Sequence, residues 1–179
     1  MTLFCFIKSM RGSDPNATAY YLAKMIYAGE DPKFIARRII VCASEDVGNA
    51  NPMALVVANA AMDAVNFIGL PEARINLSQA AMYVACSPKS NASINAIDMA
   101  MADVRNIKTS GVPNHLRDAH YKGAAKLGHG IGYKYAHDYQ DHYVKQQYLP
   151  DELLGTTFYE PTENGYEKNI KEYLERIRK

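Results

Sequence analysis

The chain has 179 residues, a formal net charge of +1 from 20 Lys+Arg against 19 Asp+Glu, and 48% hydrophobic residues. This composition is typical of a folded domain and excludes an intrinsically disordered chain. Cys5, Cys42 and Cys86 lie far apart and form no CxxC pair, which excludes a disulfide framework and a four-thiolate zinc site. We interpret them as reduced core residues of a cytosolic protein.

A capping residue followed by proline occurs three times in the first half of the chain, at Asp14-Pro15, Asp31-Pro32 and Asn51-Pro52. The Asp or Asn side chain can accept hydrogen bonds from free amides of a first helical turn, where proline needs no donor. Gly29 and Gly48 are placed to form left-handed C-terminal caps. These signals predict helices over residues 15–28, 32–47 and 52–68, with two more over about 71–86 and 90–107.

Two apolar segments require a choice between a helix and a membrane or export signal. Residues 1–10 lack a basic leader and a small-residue cleavage site, so we interpret them as part of a helix and not as a signal peptide. Asn59, Asp63 and Asn66 interrupt the longest apolar stretch, so no membrane span is predicted. Because residues 52–68 are apolar almost all round, we predict that they form the central helix of a bundle.

Two other helices carry apolar residues on one face. Ile35, Ile39 and Cys42 follow the i, i+4, i+7 spacing of a helix. In the helix predicted at 90–107, the apolar positions are Ile94, Ile97, Met101 and Val104. Each set predicts a helix with one side packed away from water. Frequent alanines favour close helix packing and suit subunit contacts.

The second half of the chain has a different character, since it holds all five histidines and nine of the thirteen tyrosines. We predict an irregular Tyr/His/Gly-rich wrap over 109–150 with a short helix near His120–Leu127. From Thr162 onward we predict a charged amphipathic helix, whose apolar face carries Tyr166, Ile170, Tyr173 or Leu174, and Ile177. The predicted organisation is a helical oligomerisation core over 1–108 and an extension over 109–179 packed on the same domain.

Catalytic motifs are weak. His120, His137, Asp138 and His142 could supply ligands of a catalytic metal, so a metal-dependent phosphohydrolase is one alternative. However, the His-Asp doublets of such enzymes lie inside helices, whereas this one lies in a tyrosine-rich stretch just after three glycines. Those glycines and Lys134 fit neither a P-loop nor a dinucleotide fingerprint. We therefore expect no catalytic residue, no metal and no cofactor here.

Basic residues suggest a second alternative, contact with DNA. Arg37 and Arg38 form a cluster with Lys33, and the aromatic residues beside Lys134 could stack on single-stranded bases. Acidic residues match basic ones in both halves, whereas a dedicated nucleic-acid domain usually carries a basic stripe. A solvated face or a subunit salt bridge is the favoured interpretation of the cluster.

Five sequence blocks occur in an order that resembles a known family. They are residues 8–48 (from KSMRGSDP to CASEDVG), SPKSNAS at 87–93, HLRDA at 115–119, GYKYAHDY at 132–139 and QQYLPDEL at 146–153. In these blocks the chain resembles the C-terminal region of the bacterial replication-associated recombination protein A family. These AAA+ ATPases are also called MgsA and are related to the Werner helicase-interacting protein. The resemblance extends over about residues 4–177.

The resemblance implies an all-α multi-helix bundle related to the clamp-loader collar, which assembles as a homotetramer. It also implies a parent ATPase that acts at stalled replication forks, with forked or gapped DNA and single-strand-binding protein as partners. ATP and magnesium would bind an N-terminal module that has no counterpart in this sequence. We therefore expect a C-terminal fragment that scaffolds the tetramer in the cytoplasm, associated with the nucleoid, without chemistry of its own.

The tyrosine-rich block matches the family motif, and we expect its residues to dock the wrap or to form an interface. Together with the two arginines, the candidate interface or DNA-contact residues are Arg37, Arg38, Tyr133, Lys134, Tyr135, His137, Asp138 and Tyr139.

Overall fold

A computed structural model describes residues 2–118, 120–121 and 124–179. Within these residues helices are the only regular secondary structure, which confirms the all-α prediction. The α-helices in this part of the chain are α1 Thr2–Arg11, α2 Pro15–Tyr27, α3 Pro32–Cys42, α4 Met53–Ile68, α5 Ala73–Cys86, α6 Ala92–Asn106 and α7 Glu167–Ile177. None of the described helices is both long enough and apolar enough to span a membrane.

Two of the three predicted helix caps are confirmed. Asp14 Oδ1 accepts a hydrogen bond from the amide three residues later at 2.9 Å, and Asp31 Oδ1 accepts one from the amide two residues later at 2.9 Å. The third cap is wrong, because the Asn51 side chain does not cap α4. Its amide donates to the hydroxyls of Tyr83 at 3.2 Å and Ser87 at 3.1 Å. Asn51 thus ties the start of α4 to the end of α5.

The helix predicted over 32–47 changes its winding after Cys42. A π-helical turn, Ala43–Val47, follows α3 and ends at Gly48, whose φ is 51°. In this turn the buried Asp46 accepts a hydrogen bond from the Cys42 thiol at 3.1 Å and forms an ion pair with Arg11. Burial, with the Asp46 carboxylate beside it, raises the pKa of the Cys42 thiol far above its ordinary value. Cys42 is therefore a protonated thiol. Of the three cysteines predicted to lie in the core, Cys42 is buried and Cys5 is half-buried, but Cys86 is exposed, so the prediction is wrong for Cys86.

The described residues divide into two units. Unit 1 comprises Met1–Ile97 and Tyr159–Lys171, and unit 2 comprises Asp98–Phe158 and Glu172–Lys179. The boundaries between them fall inside α6 and inside α7. The division proposed from the sequence at residue 108 stays a prediction.

The core of unit 1 is built around α5. Six of the fourteen residues of this helix are buried, namely Ala73, Leu77, Ala80, Ala81, Val84 and Ala85. The helix packs against α1, α2, α3 and α4. In α4, by contrast, the buried residues form one narrow strip of Ala54, Ala58, Ala61 and Val65. The prediction that α4 is the central helix is wrong, because apolar composition does not reveal whether the same chain covers a face.

A buried carboxylate holds the C-terminal part of unit 1 in place. Glu167 is fully buried and accepts hydrogen bonds from the hydroxyls of Ser90 at 2.7 Å and Tyr159 at 3.1 Å. The amide and the hydroxyl of Thr162 also donate to it, at 2.8 and 2.7 Å. Burial alone would raise the pKa of Glu167, but the donated hydrogen bonds outweigh burial and lower it. Glu167 is therefore an ionised carboxylate inside the unit.

Gly165 permits a close backbone approach next to this carboxylate. Its φ is +55°, and a Cβ atom at this position would collide with the carbonyl oxygen of Ala50 and lie 2.7 Å from Pro88 Cγ. The amide of Tyr166 donates to the same Ala50 carbonyl at 2.8 Å. Only glycine fits this contact without displacing the backbone.

Unit 2 is organised by hydrogen bonds from side chains to the backbone. The Gln146 side chain accepts from the Lys134 amide at 3.2 Å and donates to the Lys134 carbonyl at 2.8 Å. His115 Nε2 donates to the Gln147 carbonyl at 2.7 Å. Among the described residues of this unit, Leu153 is the single buried apolar side chain.

The two helices predicted in the second half have different outcomes. The segment near His120–Leu127 contains a 3-10 helix at Ala124–Leu127, while residues 122–123 of that prediction lie outside the described residues. The C-terminal helix is confirmed as α7. Ile170, Leu174 and Ile177 are half-buried as predicted, whereas Tyr166 and Tyr173 are exposed.

Candidate assembly surface

Helix α6 presents an apolar stripe that the described chain leaves largely uncovered. This α6 stripe consists of Ile94, Ile97, Met101 and Val104, which share one side of the helix. Ile97 is 56% exposed, Met101 43% and Val104 75%. Ala92 is the one buried residue among the fifteen of α6. The predicted apolar face is present, but the expectation that this chain packs it away from water is wrong.

Helix α4 also exposes apolar residues. Val56, Ala60 and Phe67 lie opposite its buried strip, and Phe67 is 93% exposed. The polar residues predicted to interrupt this helix, Asn59, Asp63 and Asn66, are exposed as well. The outer side of α4 is therefore a mixed surface rather than a continuous apolar one.

A groove of about 710 Å³ runs between α2 and α5 in unit 1. On the α2 side it is lined by Ala19, Leu22, Ala23, Ile26 and Tyr27, and on the α5 side by Arg74, Ile75, Ser78 and Gln79. The small alanine side chains leave room for another helix to approach closely. We call this surface the α2/α5 groove.

Apolar surfaces of this kind have an energetic consequence. Single exposed apolar residues are ordinary, but contiguous apolar patches on a soluble chain mark places where another molecule binds. Full burial of one aliphatic side chain contributes roughly 1.5–3 kcal/mol. Covering a stripe with several such residues would therefore add substantial free energy to an association.

The two arginines predicted as contact residues have different surroundings. Arg37 lies 3.9 Å from Asp31, and its guanidinium lies 5.7 Å from the centre of the Phe34 ring. Arg38 lines a pocket of about 180 Å³ together with Lys8. Its Nε atom is buried and has no hydrogen-bond partner among the described residues. Arg37 thus has an exposed ion-pair partner, whereas the Nε atom of Arg38 is buried without a hydrogen-bond partner among the described residues.

A second arginine in the same pocket, Arg11, is neutralised by ion pairs. Arg11 lines the same pocket but pairs with Asp46 and lies 3.0 Å from Glu45. The hydrogen bond to Asp46 raises the pKa of Arg11. In the described part of the chain, Lys8 and Arg38 are the cations of this pocket that lack an ion-pair partner.

The tyrosine-rich motif lies within unit 2, and all of its candidate residues are exposed, namely Tyr133, Lys134, Tyr135, His137, Asp138 and Tyr139. The His137 ring lies 5.1 Å from the Tyr135 ring and 4.9 Å from the His142 ring. The motif therefore offers aromatic faces to solvent. Its role as an interface or DNA contact stays a prediction.

The histidines and carboxylates do not converge on a metal centre in the described residues, where no group of three potential ligands comes together. His137 and His142 are adjacent, but His120 pairs with Asp118 at 2.8 Å. The hydrogen bonds from the His120 amide and ring lower the pKa of Asp118. The four residues of the phosphohydrolase alternative thus do not form one constellation.

The hydrogen-bonded cluster around Glu167 has no counterpart among the sequence predictions. Its members include Asn49, whose amide donates to the Tyr159 hydroxyl at 3.2 Å. The available signal was an acidic residue in the first turn of α7, where carboxylates are favoured. Ser90 lies 77 positions away in sequence, so no local pattern could connect it to Glu167.

Together these features define an all-α domain that leaves apolar helical surfaces open. Residues 12–178 match the family described as "MgsA AAA+ ATPase C terminal". The chain belongs to this family, which confirms the resemblance seen in the sequence.

Relatives agree with this assignment. The chain is 53% identical over 173 residues, 97% of its length, to an uncharacterized AAA domain-containing protein of Mycobacterium tuberculosis. It is 48% identical over 178 residues, 99% of its length, to the replication-associated recombination protein A of Bacillus subtilis. It is 40% identical over 154 residues, 86% of its length, to the ATPase WRNIP1 of Dictyostelium discoideum. The chain spans 38%, 42% and 18% of these three relatives.

Proposed function

We propose that this chain is the assembly domain of an AAA+ ATPase that works in DNA replication and recombination, and that it joins copies into a homotetramer without chemistry of its own. The name of the Bacillus subtilis relative, replication-associated recombination protein A, supports this cellular setting. The observation that carries the assembly role is the α6 stripe.

The length and the exposure of α6 favour burial of its apolar face against another subunit. A helix of fifteen residues is marginal in water unless its apolar face packs against something. In this helix one residue is buried, while three stripe residues keep 43–75% of their surface exposed. Burying the stripe against another subunit would stabilise both the helix and the assembly.

Other parts of the proposal concern the longer protein. ATP and magnesium would bind an N-terminal module, and forked or gapped DNA and single-strand-binding protein would be partners of the complete ATPase. We also propose a cytoplasmic, nucleoid-associated location. In this scheme the present chain keeps the ATPase modules together around DNA.

Sedimentation equilibrium at physiological salt tests the assembly role. We expect the unchanged chain to sediment at four times its 19.9 kDa mass. Val104→Asp places a charge on the stripe and should lower that mass. Met99→Asp is the matched control, because Met99 is 49% exposed on the opposite side of the same helix. A chain that remains monomeric at tens of micromolar would contradict the proposal.

A second candidate function, direct contact with single-stranded DNA, is favoured by the neighbouring cations Lys8 and Arg38, which lack an ion-pair partner within the described residues. Fluorescence anisotropy with a labelled oligonucleotide at several salt concentrations tests it. Replacing both residues by alanine should weaken binding and reduce its salt dependence, whereas Lys24→Ala, on the exposed side of α2, should not. Absence of binding at low salt would remove this candidate.

A further inference from the structure

We infer that the α6 stripe of one copy docks into the α2/α5 groove of a second copy. The inference rests on the proposed assembly function and deepens it, because it names the two unlike surfaces that meet. Both surfaces belong to every copy of the chain, so each copy could give its stripe to one neighbour and receive the stripe of another.

The two surfaces match in length. On α2 the groove extends from Ala19 to Tyr27, about 12 Å along the helix axis. The stripe extends from Ile94 to Val104, about 15 Å along α6. Both distances correspond to two or three helical turns, so one straight helix segment can occupy the groove.

The two surfaces also match in shape and polarity. A helix that binds in a groove presents apolar anchors at i, i+3 or i+4, and i+7 spacing, and the stripe has this spacing. Ala19 and Ala23 are small exposed residues on the α2 side of the groove, so they leave space for a second helix. Tyr27 is 95% exposed and Ile75 is 61% exposed, so both could close over the docked helix.

Charge supports the same pairing. Arg74 is the charged residue in the groove lining, and its Nη1 atom donates to the Pro71 carbonyl at 2.7 Å. Asp98 is exposed and lies beside the stripe, four positions after Ile94 and three before Met101. Within the described chain neither Arg74 nor Asp98 has an ion-pair partner. A docked stripe could therefore bring an acidic residue to a basic groove.

A second copy also accounts for assembly beyond a dimer. Contact between two identical surfaces closes after two copies, whereas contact between two unlike surfaces can continue to a third and a fourth. The proposed homotetramer therefore needs only one kind of interface. An unrelated helical protein in the groove would leave the α6 stripe without a partner.

Complementation between two variants tests the pairing. Ile75→Asp damages the groove but keeps the stripe, whereas Val104→Asp damages the stripe but keeps the groove. Each variant alone should sediment below the mass of the unchanged chain, with unchanged helicity by circular dichroism. Their equimolar mixture retains one intact stripe and one intact groove, so it should form a 1:1 complex. A fluorescent label on one variant identifies that complex.

A control variant and a charge reversal sharpen the test. Tyr20→Asp should keep the parental mass, since Tyr20 lies on α2 with 63% exposure but outside the groove lining. Arg74→Glu and Asp98→Arg should each weaken self-association about threefold to fivefold. The two reversals combined in one chain should restore it.

The outcomes separate this inference from the proposed function. If the unchanged chain assembles but the mixed variants form no 1:1 complex, the groove and stripe pairing is wrong and the assembly role stands. Restored assembly in the mixture supports both. A monomeric unchanged chain overturns both.

Discussion

Unit 1 and unit 2 are stabilised in different ways. Unit 1 buries a continuous set of apolar side chains from α1 to α5, whereas one apolar side chain is buried in the described part of unit 2. In unit 2, side chains such as Gln146 and His115 hydrogen-bond to backbone groups instead. Because a protein core is closely packed, each buried methylene group in unit 1 contributes to the free energy of unfolding. A typical hydrogen bond contributes only about 1 kcal/mol net. Equivalent substitutions should therefore lower the free energy of unfolding more in unit 1 than in unit 2.

The largest difference is expected from one leucine in each unit. Leu77→Ala, at the centre of the α5 packing, should lower the free energy of unfolding by about 4 kcal/mol, because it leaves a cavity that the core cannot close. Leu153→Ala in unit 2 should cost about 2 kcal/mol. Urea titration followed by circular dichroism measures both. Equal losses would contradict the contrast between the units.

One glycine in each unit allows a comparison of how the two backbones tolerate a new side-chain atom. Gly165→Ala in unit 1 should destabilise the protein by about 3 kcal/mol, since the new Cβ atom meets the Ala50 carbonyl and φ is positive. Gly155→Ala in unit 2 should cost about 1 kcal/mol, because φ is +83° but nothing lies within 4 Å of the new atom. Melting temperatures of the two variants test the difference. A smaller effect at Gly165 than at Gly155 would show that the Ala50 contact gives way easily.

Glu167 tests whether a polar group stabilises unit 1 as strongly as an apolar one. Glu167→Gln should cost about 2–3 kcal/mol, because the new amide group cannot accept all the hydrogen bonds that the carboxylate accepts. The exposed Glu163, paired with Lys171, is the control, and Glu163→Gln should leave stability nearly unchanged.

The same carboxylate makes stability depend on pH. Since the folded-state pKa of Glu167 lies below its ordinary value of 4.5, its stabilising contribution is present above that value and is lost as the pH falls through the folded-state pKa. The free energies of unfolding of the unchanged chain and of Glu167→Gln, measured between pH 7 and pH 3, should therefore approach each other as the pH falls. A constant difference between them would mean that another group dominates the loss of stability in acid.

The smallest effect is expected from a single polar contact in unit 2. Gln146→Ala removes both hydrogen bonds to Lys134 and should cost about 1 kcal/mol. We expect faster hydrogen exchange at the Lys134 amide with little change elsewhere. Gln140→Ala is the control, since its side chain is exposed and makes no hydrogen bond within the described residues. Global unfolding of Gln146→Ala would show that unit 2 depends on this contact far more than its exposure indicates.

Local chemistry was sufficient to predict much of unit 1. Asp14 and Asp31 cap their helices as expected, because a cap depends only on residues two or three positions away. The α6 stripe was also visible, since helical periodicity decides which residues share a face. What periodicity cannot decide is what covers that face, and this is why the stripe was wrongly expected to be packed.

Contacts between distant residues account for the other differences. Asn51 resembles a cap in sequence, yet Tyr83 and Ser87 compete successfully for its side chain. The sequence pattern places Glu167 in a charged amphipathic helix, whereas Ser90 and Thr162 hold its carboxylate in the interior. In both cases the deciding partner is supplied by the tertiary fold, so the sequence pattern alone favoured the simpler local interpretation.

The reactivity of the Cys42 thiol reports how often the core of unit 1 opens. Cys86 is exposed at the end of α5 and meets a thiol-reactive reagent directly, whereas Cys42 is buried and held as the unreactive protonated form. Reagent can reach Cys42 only during moments when α3 separates from its neighbours. The lag between alkylation of Cys86 and alkylation of Cys42 therefore records how rarely the closed core opens.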